Sequence, residues 1–383
     1  MTGLTEQQLL RAASSGDPDS QFELAMAFAH RGDAKQAVAW MTKASDAGSA
    51  LADAQLGIWQ IMGLFADKHP RQGLKRVRRA AKTGDDIACL LLAGLNAMGT
   101  LAPQDWIAAR DWLIEAARRG NVRALTQISL LLPEGFEGRA TFAQQAAATG
   151  YAPAVGLFSE LEDGGADLDR AKDAIDLAAL AAPAPFETVS ESPRLLVAKD
   201  FLPLAWCAYI RALAEPALAP SDVHNATLGR VVLGVRTSAH MAFGPIDTDP
   251  LLAIVAHRIA AWTGTNAACG EDMSILRYRP GEEYRRHVDF FDPDVPAIWA
   301  EAARAGQRTA TVLVWLNDDY QGGETIFPLV DQTFRGKTGD ALAFWNVLPD
   351  GNPDRRTVHA GLPPVGGDKW LISKWIRDRA QYA

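Results

Sequence analysis

The chain has little cysteine: three residues in 383, Cys89, Cys207 and Cys269, with no CxxC spacing among them. A disulfide framework or a thiolate zinc site needs clustered sulfurs, so neither is suggested and buried free thiols are expected. Long apolar runs are missing too. No stretch reaches the roughly 18 consecutive apolar residues of a membrane helix, and the opening MTGLTEQQLLRAASSGD has an early acid and no apolar h-region. A cytoplasmic, non-membrane protein is expected. A basic excess is also absent: 38 Lys+Arg against 46 Asp+Glu leave a formal charge of -8, which disfavours binding to a phosphate backbone. Nucleic acid is therefore not an expected partner, and a basic or neutral polypeptide suits this charge better than an acidic one.

What the chain has is length and core-forming residues. At roughly 150 residues per domain it calls for two or three domains. Its 48% hydrophobic and 22% charged residues exclude disordered and collagenous classes. A phrase of small residues, Gly, a polar gap and an Ala-rich stretch recurs at SSGDPDSQFELA, DAGSALADAQLG, KTGDDIACLLLAG, RRGNVRALTQIS and ATGYAPAVGLFS. Its glycines, Gly16, Gly48, Gly84, Gly120 and Gly150, are 32, 36, 36 and 30 residues apart. Each interval accommodates two short helices and two turns. Stretches such as AKQAVAWMTKAS and WIAARDWLIEAARR repeat apolar residues every three or four positions, as one helix face does. Glycine behind such a helix serves as a C-cap, where positive φ is cheap only for Gly. Stacked helical hairpins follow. The phrases resemble Sel1-like repeats, a branch of the tetratricopeptide superfamily, over about residues 8–160, although the outer intervals of 32 and 30 residues depart from that family's usual length. The resemblance implies an α-solenoid with a concave surface for protein or peptide partners.

An acidic Gly pair, one more Ala-rich helix and a Pro-containing stretch over 182–193 come next, the last read as an extended linker. The boundary is placed near residue 185, giving domains 1–185 and 186–383. Beyond it come β-branched segments, RVVLGVRTS, ATVLVWLND, DALAFWNV and KWLISKWI, with helices expected at DFLPLAWCAYIRALAE and DPLLAIVAHRIAAWTG. This half reads as a β core with helices packed on one side.

Chemistry concentrates in RYRPGEEYRRHVDFF. His287 and Asp289 are two residues apart, so on a strand both side chains meet one face and can reach one ion. His359 follows in RRTVHAGLPPV, and Lys369 opens KWLISKWI. Two histidines and a carboxylate with open positions make the facial triad of non-heme Fe(II) oxygenases; zinc accepts the same ligands. Lys369 discriminates, because a cation there suits the distal carboxylate of a cosubstrate. Period two puts Lys369, Leu371, Ser373 and Trp375 on one face. His30, His69 and His257 read as surface or helix-end residues, and His240 has no assigned role. Asp292, Asp294, Asp318 and Asp319 read as solvated loops, with a cation site or basic-substrate contact as the alternative. Trp40, Trp59, Trp106 and Trp112 read as helix core.

The segments VRTS at 235–238, YRPGEEYRRHVDFF, RTATVLVWLNDDYQGGETIFP, GDALAFWNV and HAGLPPVGGDKW, with the later Trp375, resemble 2-oxoglutarate/Fe(II) dioxygenases of the prolyl 4-hydroxylase alpha-subunit type over about residues 194–380. The resemblance implies a double-stranded β-helix, or jelly roll, with flanking helices. It makes His287, Asp289 and His359 the iron ligands and Lys369 the binder of the distal carboxylate of 2-oxoglutarate. Tyr278 and Thr325 match hydroxyls that contact that carboxylate, and Tyr284 and Trp375 match the substrate side. Tyr284, three residues before His287, then needs a bend after Pro280 and Gly281. The implied cofactors are Fe(II), 2-oxoglutarate and O2, with ascorbate as reductant; the reaction yields succinate, CO2 and a hydroxylated carbon. Asp289 favours hydroxylation over halogenation, since related halogenases carry a small residue there. A prolyl residue of a peptide or protein recruited by the repeats is the expected substrate. A free amino acid or small molecule, with the repeats dimerising or capping, and a non-catalytic repeat-based adaptor are the alternatives.

Overall fold

The computed structural model describes residues 6–158, 165–221, 224–225, 230–231 and 236–381. Residues 232–235 of RVVLGVRTS, which include Val235 of VRTS, lie outside the described residues. The chain divides into two compact units: Met1–Ile128 with Ala166–Ile175 and Ile246–Pro250, and Ser129–Gly165 with Asp176–Pro245 and Leu251–Ala383.

Antiparallel hairpins build the first unit: α1 (Glu6–Ser14) with α2 (Pro18–His30), α3 (Ala34–Asp46) with α4 (Ala50–Met62), α5 (Pro70–Thr83) with α6 (Asp86–Met98), and α7 (Trp106–Arg118) with α8 (Val122–Leu131). Each hairpin turns at a repeat glycine. Gly16, Gly48, Gly84 and Gly120 have φ of 98, 94, 113 and 82°, a region that a side chain rarely tolerates. An N-cap follows each glycine at once: Asp17 accepts from Ser20 N, Ser49 from Ala52 N, Asp85 from Ala88 N and Asn121 from Ala124 N. Such a cap stabilises a helix by about 1 kcal/mol. At Gly150 the pattern fails. Tyr151 supplies no side-chain cap, so α9 (Arg139–Ala147) is followed only by a single 3-10 turn, Ala152–Ala154. Small side chains let the helices approach: Ala25, Ala37, Met41, Ala44, Ala52, Leu56 and Trp59 form one core cluster. Of the four tryptophans only Trp59 is fully buried. Trp40, Trp106 and Trp112 are half-buried; Trp40 packs against the same core cluster, with Lys43 over its ring at 3.8 Å.

The expected single Ala-rich helix is two, α10 (Leu168–Ala174) and α11 (Leu177–Leu180), split where Asp176 caps the second through Ala179 N. The stretch 182–193 is not wholly linker. Glu187–Glu191 within it is the edge strand of a sheet and pairs with Arg194–Ala198. The major sheet runs in the order Glu187–Glu191, Arg194–Ala198, Ala341–Trp345, Arg308–Trp315, Lys369–Arg377, Met273–Tyr278, Ala239–Phe243 and Ala219–Pro220. A four-stranded sheet, Gln332–Phe334, Thr325–Phe327, His359–Gly361 and Tyr284–His287, completes the jelly roll. All these pairings are antiparallel. Leu276, Tyr278, Leu313, Trp315, Phe344 and Leu371 of the first sheet share one core with Phe327 of the second, as expected when two inner faces pack. The helices α12 (Leu204–Ala214) and α13 (Pro250–Thr263) lie at the two expected segments. Trp206 of α12 donates to Leu130 O at 3.1 Å. A further helix, α14 (Pro296–Ala305), was not expected; Pro296 at its first turn fits a helix start.

Cys89 and Cys207 are buried free thiols, whereas Cys269 is half-exposed. No helix among the described residues is long and apolar enough to cross a membrane.

Candidate active site

The triad is assembled by a strand pairing. His287 closes the edge strand Tyr284–His287, and His359 opens the neighbouring strand directly opposite it, which puts their ring centroids 4.2 Å apart. Asp289 lies just past the strand end on a bend, not on the strand as expected, yet its carboxylate faces the same point. Oδ1 is 3.5 Å from His287 Nε2 and Oδ2 is 3.7 Å from His359 Nε2. The ligand-capable atoms of the three residues all lie within 4.8 Å of one another.

Each imidazole is oriented by its other nitrogen. His287 Nδ1 sits 2.8 Å from Arg285 O and His359 Nδ1 3.0 Å from Thr357 O. A carbonyl only accepts, so these Nδ1 atoms carry the protons and the Nε2 lone pairs face the cavity. Burial, together with His287, lowers the His359 pKa to about 4 against the opposing pull of Asp289. Burial pulls the Asp289 carboxyl upward, but His359, His287 and Arg308 hold it well below the usual carboxylate range. At neutral pH His359 is thus a neutral imidazole and Asp289 an anion, the forms in which these groups bind a metal. This donor set fits an Fe(II) ion.

Lys369 starts the strand beside Tyr278. It is only 1% exposed and donates to Gly323 O at 2.6 Å. Burial lowers its pKa to about 7, with Glu324 pulling the other way; among the described residues it has no carboxylate within salt-bridge distance. Gly323 has φ of 71°, and a Cβ there would sit 3.0 Å from the Tyr320 ring. Gly323→Ala is expected to destabilise the fold by about 1–2 kcal/mol and to weaken 2-oxoglutarate binding by displacing Lys369, as checked by urea unfolding and ligand titration.

One cavity is lined by Tyr278, Tyr284, His287, Asp289, Thr325, His359, Lys369 and Trp375, and also by Leu371 and Ser373 of the expected strand face. The chain turns at Pro280 and Gly281, as expected, where Gly281 has φ of 84°, and Tyr284 then reaches the cavity through a β-bulge. Three residues from Tyr284 to His287 oppose two from Gly361 to His359, so both rings share a face and stack at 3.4 Å. Sequence reasoning missed the Gly323 carbonyl and the partners of Asp289 described below. No motif marks a backbone oxygen or a threonine inside a β-rich strand.

Asp292 and Asp294 are paired with Arg355. Asp318 accepts from Thr338, and Asp319 from Asn317. None of the four joins the triad cluster. His30 ends α2 and His69 precedes α5, both exposed, while His257 lies within α13.

A jelly roll with this trio and a buried cation in one cavity is the architecture of a non-heme iron oxygenase that takes a dicarboxylate cosubstrate. Residues 273–377 match the 2OG-Fe(II) oxygenase superfamily. The chain is 38% identical over 209 residues to Prolyl 4-hydroxylase 1 of Arabidopsis thaliana, a match covering 51% of this chain and 72% of that protein. Among solved structures it is similar to a viral collagen prolyl hydroxylase from Paramecium Bursaria Chlorella virus-1 in its 2OG complex, at 26% identity and a TM-score of 0.40, covering 49% of this chain and 98% of the other. A Sel1 repeat protein from Oxalobacter formigenes is similar at 28% identity and a TM-score of 0.29, over 32% of this chain and 94% of the other. The chain belongs to the prolyl 4-hydroxylase family of 2OG-Fe(II) oxygenases. It is a 2-oxoglutarate-dependent dioxygenase, with Fe(II), 2-oxoglutarate and O2 as its cofactor set.

Proposed function

We propose that this dioxygenase hydroxylates a prolyl residue of a peptide or protein, that His287, Asp289 and His359 hold its Fe(II), and that the helical hairpins help recruit the substrate. The observation that carries the reading is the single cavity joining this trio to Lys369, Tyr278 and Thr325, with its support in the family membership. Bound Fe(II), with 2-oxoglutarate and O2, supplies the oxidising power and yields succinate, CO2 and hydroxylated product. The chain's own residues supply position. Lys369 meets the distal carboxylate of 2-oxoglutarate, and Tyr278 and Thr325 add hydroxyls to it. The apolar Leu276, Leu313 and Leu371 keep water from that end. Tyr284, stacked on His287, and Trp375 form the walls against which a substrate ring lies.

We place the boundary between recruiting and catalytic parts near residue 185, just before the first strand of the major sheet. Free, unpaired cysteines support a cytoplasmic location. The test is mass spectrometry of proline-containing peptides, co-purifying proteins and free metabolites incubated with enzyme, Fe(II), 2-oxoglutarate and ascorbate. A +16 Da shift on a prolyl residue is expected; a shift confined to free amino acids or other metabolites would sink the polypeptide reading.

A further inference from the structure

Behind the Asp289 carboxylate stands a hydrogen-bonded polar pair. Thr311, in the strand Arg308–Trp315, is fully buried, and its hydroxyl is 2.7 Å from Asp289 Oδ2. Asn346, also fully buried, brings its Nδ2 to 3.0 Å from the same hydroxyl. A carboxylate only accepts, so the single Thr311 proton goes to Asp289 and Asn346 donates into the hydroxyl's lone pair. The Asn346 backbone is pinned on both sides: its N donates to Thr309 O at 2.8 Å, and its O accepts from Asp354 N at 2.9 Å. Thr311 is held by strands on both flanks, opposite Phe344 and Trp375. The chain of donors therefore ends on one oxygen of Asp289 and leaves Oδ1 facing His287.

We propose that Thr311, fixed by Asn346, is a positioning residue that keeps Asp289 a one-oxygen ligand. With Oδ2 committed to the hydroxyl, the carboxylate does not rotate to chelate the ion through both oxygens, and the position it would otherwise fill stays open for 2-oxoglutarate or O2. This rests on the Fe(II) reading of the trio. Partners of this kind around a ligand are worth 10–100-fold in metal affinity or activity.

Thr311→Val removes the hydroxyl at nearly constant volume. By anaerobic titration it should bind Fe(II) roughly 10–100-fold more weakly. Its Fe(II)–2-oxoglutarate charge-transfer band should shift, and succinate should form in excess over hydroxylated product. Thr311→Ser, which keeps the hydroxyl, should restore all three readouts. A folded Thr311→Val protein with wild-type Fe(II) affinity, band and succinate-to-product ratio overturns the proposal. So does a Thr311→Ser protein that behaves like Thr311→Val. Should the valine variant not fold, Asn346→Leu decides, since it removes only the donor to Thr311: a shifted band supports the proposal and a wild-type band overturns it. A wild-type enzyme that shows no band at all is a different failure, that of the oxygenase reading itself.

Discussion

Replacing His359 with alanine is expected to remove Fe(II)-dependent succinate formation almost completely, by at least about a thousandfold, because it deletes one of the three proposed protein ligands and the partner that faces His287 across the strand pair. The same ring is packed by Phe327 at 5.4 Å and Phe344 at 4.8 Å, so the variant also leaves a cavity and loses some stability. Metal affinity separates the two effects. A folded variant, shown by an unchanged far-UV spectrum, should show no charge-transfer band with Fe(II) and 2-oxoglutarate, and turnover above a tenth of wild type would end the ligand assignment. The pH dependence of the metal-free protein gives a second check. His359 titrates near 4 when folded and near 6.5 when unfolded, so below pH 6.5 the unfolded chain binds the extra proton. Stability is fully present above pH 6.5 and falls as the pH drops from 6.5 to 4. His359→Ala should flatten that part of a urea-midpoint-against-pH curve.

The sequence announced the repeats through their glycines because positive φ at a tight turn restricts the residue type, and Gly16, Gly48, Gly84 and Gly120 all take that conformation. The end of the array was hidden, because Gly150 keeps the turn while Tyr151 drops the cap. That His287, Asp289 and His359 would come together was legible from spacing together with resemblance. Its geometry was not: Tyr284 and His287 share a face only because of a bulge, and bulges leave no composition signal. The strand Glu187–Glu191 was hidden for a related reason. Its sequence ETVSE is polar, and its residues are exposed or half-buried, as an edge strand permits. Thr311 sat in plain view inside ATVLVWLND, where threonine reads only as a β-former. Its partner Asp289 is 22 residues away, so only the fold brings the two together.

Lys369→Met is expected to change stability and cosubstrate binding in opposite directions. Methionine has a similar shape and no charge, and the charge is what the buried position resists. Burial holds the Lys369 pKa at about 7 against 10.4 in water, so between these values the unfolded chain carries the additional proton. Stability attributable to this group is therefore present above about pH 10.4 and progressively lost as the pH falls to 7; at neutral pH the ligand-free enzyme bears the strain of a buried cation. Removing it should raise the urea midpoint near pH 7. With Lys369 at the cosubstrate site as proposed, the same change leaves the distal carboxylate of 2-oxoglutarate with only the Tyr278 and Thr325 hydroxyls and no charged partner, a loss of about 3–5 kcal/mol for a buried pair, or roughly 10²–10⁴-fold in the KM for 2-oxoglutarate. Fe(II) affinity should stay within about threefold, since Lys369 donates to Gly323 O and not to the trio. On the proposed role, the dicarboxylate binds the protonated lysine in the wild-type enzyme, so its KM should climb by up to tenfold per unit as the pH rises above 7, while the methionine variant shows no such climb. A methionine variant with wild-type KM, or a wild-type KM that is flat between pH 7 and 9, would remove Lys369 from the cosubstrate site.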